Sequence, residues 1–106
     1  MSPPPKPMEP EERAAIQRLI AIARSDTGQS RRVADFLLAW WNADSCGGFD
    51  LTHLWGVDRA VAEDIVTVFC LVARLHHYPD TLGFKTDFEA ILRDWRPHLA
   101  TTGDGG

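Results

Sequence analysis

The chain has 106 residues, 44% of them hydrophobic and 25% charged, the balance of an ordinary globular protein rather than a disordered one. That length gives one domain and room for one modest core. Fifteen acidic against eleven basic residues leave a net charge of −4, so a phosphate backbone meets mild overall repulsion unless one face gathers the arginines.

Residues 1 to 8, MSPPPKPM, are half proline; proline lacks an N–H donor and fixes its own φ, so residues 1–9 are expected to form a disordered Pro-rich tail. From there to residue 99 the apolar spacing is helical. Pro10 suits an early helical position, with Glu11 and Glu12 in the favourable first turn and Ile16, Leu19, Ile20 and Ala23 forming one stripe. A first helix is predicted over about 10 to 25, ending before Gly28.

Ser30 reads as the N-cap of a second helix, in which Val33, Phe36, Leu37, Trp40 and Trp41 recur at three- and four-residue spacing until Gly47-Gly48 stop it. Asp50 or Thr52 then caps a short helical turn carrying Leu54 and Trp55, which Gly56 closes. Asp58 caps the longest predicted helix, about 59 to 77, and its core IVTVFCLVA is apolar on nearly every side. A helix of that kind is expected to be wrapped by its neighbours, unavailable for reading bases or for chemistry. HYPDTLGF reads as a loop, Thr86 with Glu89 as a capping box for a last helix bearing Phe88, Ile91, Leu92 and Trp95, and Pro97 as its end. TTGDGG, within 100–106, is expected to be a flexible tail.

The expected fold is therefore all-α: a compact bundle of four main helices plus one short helix, within a single domain over 10–99, with the longest helix (about 59–77) central.

Three chemical constellations compete within this frame. A catalytic cysteine needs a base in reach and a lowered pKa, because the thiolate is the nucleophile. Cys46 follows the second helix, at its negative C-terminal end, which raises a thiol pKa, and the glycines after it are explained by the helix stop; a Cys46-dependent enzyme with His53 as base is the second alternative. Structural zinc sites are built from closely paired ligands such as C-x₂₋₄-C. Cys46, Cys70, His53, His76, His77 and His98 show no such pairing, so no metal and no cofactor is expected, and no residue is assigned as catalytic. The third constellation is a helix-turn-helix, whose grammar FDLTHLWGVDRAVAEDIV follows. Base recognition needs arginine, lysine, asparagine or glutamine early in the second helix, where this chain offers Asp58, Arg59, Glu63 and Asp64. A nucleic-acid-binding alternative rests on Arg24, Arg31 and Arg32 as a basic edge.

Four tryptophans are dense for this length. Trp40 and Trp41, about 100° apart on a helix, do not share one core direction, so the sequence leaves two readings: a core of aromatics wedged between helices, which is the commoner use, or one of them or Trp55 partly at the surface, where tryptophan marks binding hot spots.

The stretches LLAWWNA, GGFDL with LWGVD, and YPDTLG carry a resemblance to a family of short, uncharacterised proteobacterial proteins associated with plasmids and integrative conjugative elements. It covers about residues 14 to 99. The resemblance implies a bacterial, mobile-element context and no activity, so it assigns no catalytic or binding residue. Small proteins of such elements often act through protein partners, an argument by analogy.

The expectation is thus a non-enzymatic protein–protein interaction module, with Trp41, Phe49, His53, Trp55 and Arg59 as a contact patch around the glycine loop. Its protein partner is unnamed, a homodimer is one form, and nucleic acid is disfavoured. MSPPPKPMEPEE has no apolar h-region, and the run Ile65 to Ala73 falls well short of the roughly 20 residues of a membrane span, so the expected location is the cytoplasm.

Overall fold

The computed structural model describes residues 7–99, so residues 1–6 of the expected Pro-rich tail and all of the expected tail 100–106 lie outside the described residues. The architecture is all-α, with helices α1 (Pro10–Ala23), α2 (Gly28–Cys46), α3 (Arg59–Arg74) and α4 (Lys85–Trp95), and a short 3-10 helix, Leu51–Gly56, between α2 and α3.

Local sequence sets most of these boundaries. Glu9 caps α1, its N–H donating to the Glu12 carboxylate at 2.8 Å, while Pro10 takes the first helical position, where no N–H is needed. Thr27, not Ser30, caps α2. Ser30 is the third helical residue, and its Oγ accepts from the Thr27 N–H (3.1 Å) and lies 2.7 Å from the Thr27 hydroxyl, so the serine supports the cap from inside the helix. α2 is interrupted at Asn42 (φ −164, ψ 84). The Asn42 side chain bonds Ser45 N and Oγ, both at 3.3 Å, and so starts the last turn to Cys46 afresh. Gly47 then leaves the helix at φ +96, a region that favours glycine.

The expected caps of the later helices fare unequally. Asp50 does cap the 3-10 helix, accepting from Thr52 N (2.9 Å) and Thr52 Oγ1 (2.8 Å); these bonds, the hydroxyl's first, hold its carboxyl below the usual carboxylate value. Asp58 stands at the N-cap of α3, but its carboxylate accepts from Gln29 Nε2 (3.2 Å) and its N–H donates to Gln29 Oε1 (3.0 Å), which pins the start of α3 to the start of α2. The Thr86–Glu89 capping box is not formed, because α4 begins earlier, at Lys85 after Phe84. Pro97 follows the end of α4 at Trp95 but opens a further helical turn.

The expectation of a central, all-round buried helix over 59–77 is corrected. α3 stops at Arg74 and, at 16 residues, is shorter than the 19 of α2. Val61, Ile65, Val68 and Leu71 face the core, while Val66 is 51% and Phe69 59% exposed and Cys70 is also at the surface. The helix at the centre is α1. Ala15, Ile16, Leu19, Ile20 and Ala23 are buried along it, and it packs on α2, α3 and α4. The apolar surplus of α3 exceeds what one packing face can absorb, and the excess lies outside.

Polar groups close the ends of the helices. Trp95 Nε1 donates to Ala23 O (2.7 Å) at the last turn of α1, and Arg96 Nε donates to Cys46 O (3.0 Å) at the end of α2, so two otherwise unpartnered terminal carbonyls are satisfied by side chains of the α4 end.

The two faces of α3 give a direct test. Leu71→Ala should cost about 2–5 kcal/mol in urea-induced unfolding of the chain, as expected for a buried leucine, whereas Phe69→Ser should cost under about 0.5 kcal/mol in the monomer. Equal losses would contradict this orientation of the helix.

Candidate protein-contact groove

α2 and α3 both lie against α1 but scarcely meet one another. Between them runs a groove of ≈ 370 Å³. From α2 it is lined by Phe36, Ala39 and Trp40, and from the connecting segment by Phe49, Leu51 and Leu54. α3 supplies Ile65, Val66, Phe69 and Val72. Every lining side chain is apolar or aromatic. The one indole N–H among them, Trp40 Nε1, is turned out of the groove to His77 O at 3.3 Å. A lining with so little to satisfy polar atoms suits another apolar surface rather than a charged ligand.

Local chemistry builds the walls. Phe49 sits edge-on to Phe36, with ring centroids 5.3 Å apart, so the chain after Gly47-Gly48 folds back against α2. In a 3-10 helix residues three apart stack on one side, which sends Leu51 and Leu54 into the groove together. Phe69 and Leu51 form the exposed lips.

Of the five residues expected to form a contact patch, only Phe49 lines this groove. Trp41 packs edge-on against Phe88, centroids 6.0 Å apart, and borders a separate polar depression with Asn42, Asp44 and Asp80. His53 touches Phe49 edge-on (5.6 Å) but faces a different cavity, with Arg31, Arg32 and Asp35. Trp55 stands in solvent at 86% exposure and does not line the groove, and Arg59 is exposed at the start of α3. The groove residues to which the sequence does not point are those of α3, Val66, Phe69 and Val72. The signal that could find them is an excess of apolar residues over one helix face, which is equally the signature of complete burial.

The arginines of the nucleic-acid alternative are spread over different tasks. Arg24 Nε pairs with Asp94 (3.3 Å), and Arg32 Nη1 donates to Gly56 O (3.3 Å) and Gly28 O (3.5 Å). The guanidinium lies so close to Gly56 that a Cβ there would stand 2.8 Å from Arg32 Cζ. Arg31 is exposed and makes no ion pair among the described residues. On α3, Asp64 is neutralised by Arg18 through two bonds of 2.9 Å, leaving Glu63 as the exposed acid of that face. The argument that burial withholds α3 from a duplex does not hold, since its outer face is open; the weak basic character of that face is what disfavours phosphate.

Cys46 is buried, and desolvation pushes its thiol up, with the Arg96 guanidinium pulling partly back. Among the described residues no three His, Cys, Asp or Glu side chains gather as a metal site requires, and no helix is long and apolar enough to cross a membrane. Because thiol reactivity follows thiolate fraction and access, Cys70 should react with a colorimetric disulfide reagent at an ordinary rate at neutral pH and Cys46 much more slowly, the two becoming equal in denaturant. A Cys46 faster than Cys70 in the folded chain would contradict this.

No curated protein and no solved structure matches the chain. A protein-family model does, over residues 13–96, a span that takes in all of α2, the groove, α3 and α4 and most of α1. The chain is a member of a family of unknown function, DUF7673.

Proposed function

We propose that this protein is a non-enzymatic interaction module that receives an apolar surface of a protein partner in the groove between α2 and α3. The observation that carries the reading is the groove itself: ten apolar or aromatic lining residues, with Leu51, Val66 and Phe69 among the large hydrophobic residues left in solvent. Scattered exposed hydrophobic residues are ordinary, but a contiguous apolar patch marks a contact site. Trp55, next in the chain to the groove residue Leu54 and 86% exposed, supplies an aromatic of the type that dominates binding energy.

The expected contact patch is redrawn accordingly. Phe49 and Trp55 keep a part, and Arg59 becomes a rim charge, while Trp41 and His53 face elsewhere. The desolvated Cys46 supports a role without thiol catalysis. The bacterial, mobile-element setting and the cytoplasmic location implied by the sequence reading fit a small protein that works by binding others, and they belong to this proposal.

A photo-crosslinking residue placed at Phe69, and separately at Arg31 as a control on another face, tests the reading in the cells that express the protein. The expected outcome is protein adducts from position 69, absent from position 31, and lost on Leu51→Glu with helical content unchanged. Nucleic-acid adducts from position 31, or no protein adduct from position 69, would overturn it.

A further inference from the structure

The cavity that His53 faces differs from the groove in its chemistry. It measures ≈ 390 Å³ and is lined by Gly28, Arg31, Arg32, Asp35 and His53, so no apolar side chain takes part and basic groups predominate. A volume of that size falls within the roughly 300–1,000 Å³ of small-molecule sites.

Its charge is unbalanced. Arg18, Arg24, Arg74 and Arg96 each hold a carboxylate, and the one acid of this lining, Asp35, is the partner of Arg96 at 2.7 Å. Among the described residues no acid pairs with Arg31 or Arg32. Two guanidiniums therefore line one cavity without a counter-ion, in a chain whose net charge is −4.

Arg32 is also held in place. Its Nη1 donates to Gly56 O (3.3 Å) and Gly28 O (3.5 Å), and the close approach needs the bare Cα of Gly56, where a Cβ would stand 2.8 Å from Cζ. Two backbone carbonyls thus fix the guanidinium through one nitrogen, while Nε and Nη2 make no hydrogen bond among the described residues. A guanidinium positioned in advance gives up less freedom when it takes an anion.

His53 completes the wall. Its Nδ1 is buried with no hydrogen-bond partner, whereas buried polar groups are nearly always paired, and a ligand oxygen would satisfy the ring. The first turn of α2, which begins at Gly28, adds the positive end of a 19-residue helix to the same potential.

We propose that this cavity binds a phosphoryl dianion, either free phosphate or the phosphate group of a small phosphorylated compound. Two uncompensated guanidiniums match a dianion in charge, and their planar forks match phosphate oxygens in geometry. The cavity shares no lining residue with the groove, and neither reading depends on the other.

Titration of the isotope-labelled full chain, followed by amide and imidazole NMR shifts at a constant salt concentration of about 0.15 M, reads the outcome. The probes are inorganic phosphate, ribose 5-phosphate and ribose. Saturable shifts are expected at Gly28, Arg31, Arg32 and His53 with both phosphates, and none with ribose. Arg31→Gln should weaken binding about tenfold or more with circular dichroism unchanged, because Arg31 is exposed and makes no ion pair among the described residues. Arg24→Gln, outside the cavity, should leave the affinity as it was. Tighter binding of ribose 5-phosphate than of phosphate assigns the site to a phosphorylated compound, and equal binding assigns it to free phosphate. No saturation by either up to about 10 mM, or equal losses in Arg31→Gln and Arg24→Gln, would rule the site out.

Discussion

The packing of three helices on α1 is the constraint from which the rest of the molecule follows. α1 buries alanines, leucine and isoleucines along most of its length, and α2, α3 and α4 each satisfy an apolar face by lying against it. A central helix of 14 residues is about 21 Å long at 1.5 Å per residue, and three helices around it need not touch one another on every side. α2 and α4 meet, but α2 and α3 leave a gap between them, and that gap is the groove.

Polar pins decide that the gap stays open rather than collapsing. At the start of both helices the Gln29 amide clasps Asp58, and Arg32 braces Gly56. At the far end Trp40 bonds the chain just beyond α3. α3 is held down on α1 by two paired-bond ion pairs, Arg74–Glu12 at 2.8 Å and Arg18–Asp64 at 2.9 Å. α2 is fixed to the α4 end by Arg96, which reaches Asp35 at 2.7 Å and Cys46 O at 3.0 Å. Glu12 and Asp35 are both buried, where a carboxylate without its partner would be costly, so these contacts fix which surfaces face one another. Between the pins the groove is held at a set width by geometry, and apolar attraction alone does not shut it.

Much of this could be read in the sequence, in unequal parts. The all-α class, the helix order, the break before Gly28 and those at Gly47-Gly48 and Gly56 follow from periodicity and backbone freedom, which are local properties. The N-caps at Asp50 and Asp58 were also local. The cap of α2 was placed three residues late because Thr27 and Ser30 are both good capping residues and only their mutual bond distinguishes them. The larger miss concerned α3. An apolar run says that a helix avoids water and does not say what shields it; whether the shield is this chain or another depends on how many sides α1 can serve, a non-local quantity. The residues of the five-residue patch are divided between faces for a related reason, because sequence adjacency around the glycine loop does not fix direction.

The exposed row on α3 also bears on what kind of surface this is. Hydrophobic side chains left outside by chance would fall at irregular positions and be diluted by charge. Here they keep a helical spacing through four residues, Ala62, Val66, Phe69 and Ala73, with Arg59 one step before them. The row runs beside a groove whose walls are equally apolar, so ridge and trough form one continuous face. A folded chain that keeps such a face in water gives up solubility for it, and the pins that prevent α2 from covering it keep it in place. The arrangement has a physical sense under the proposed contact role, in which another polypeptide supplies the layer that this face lacks.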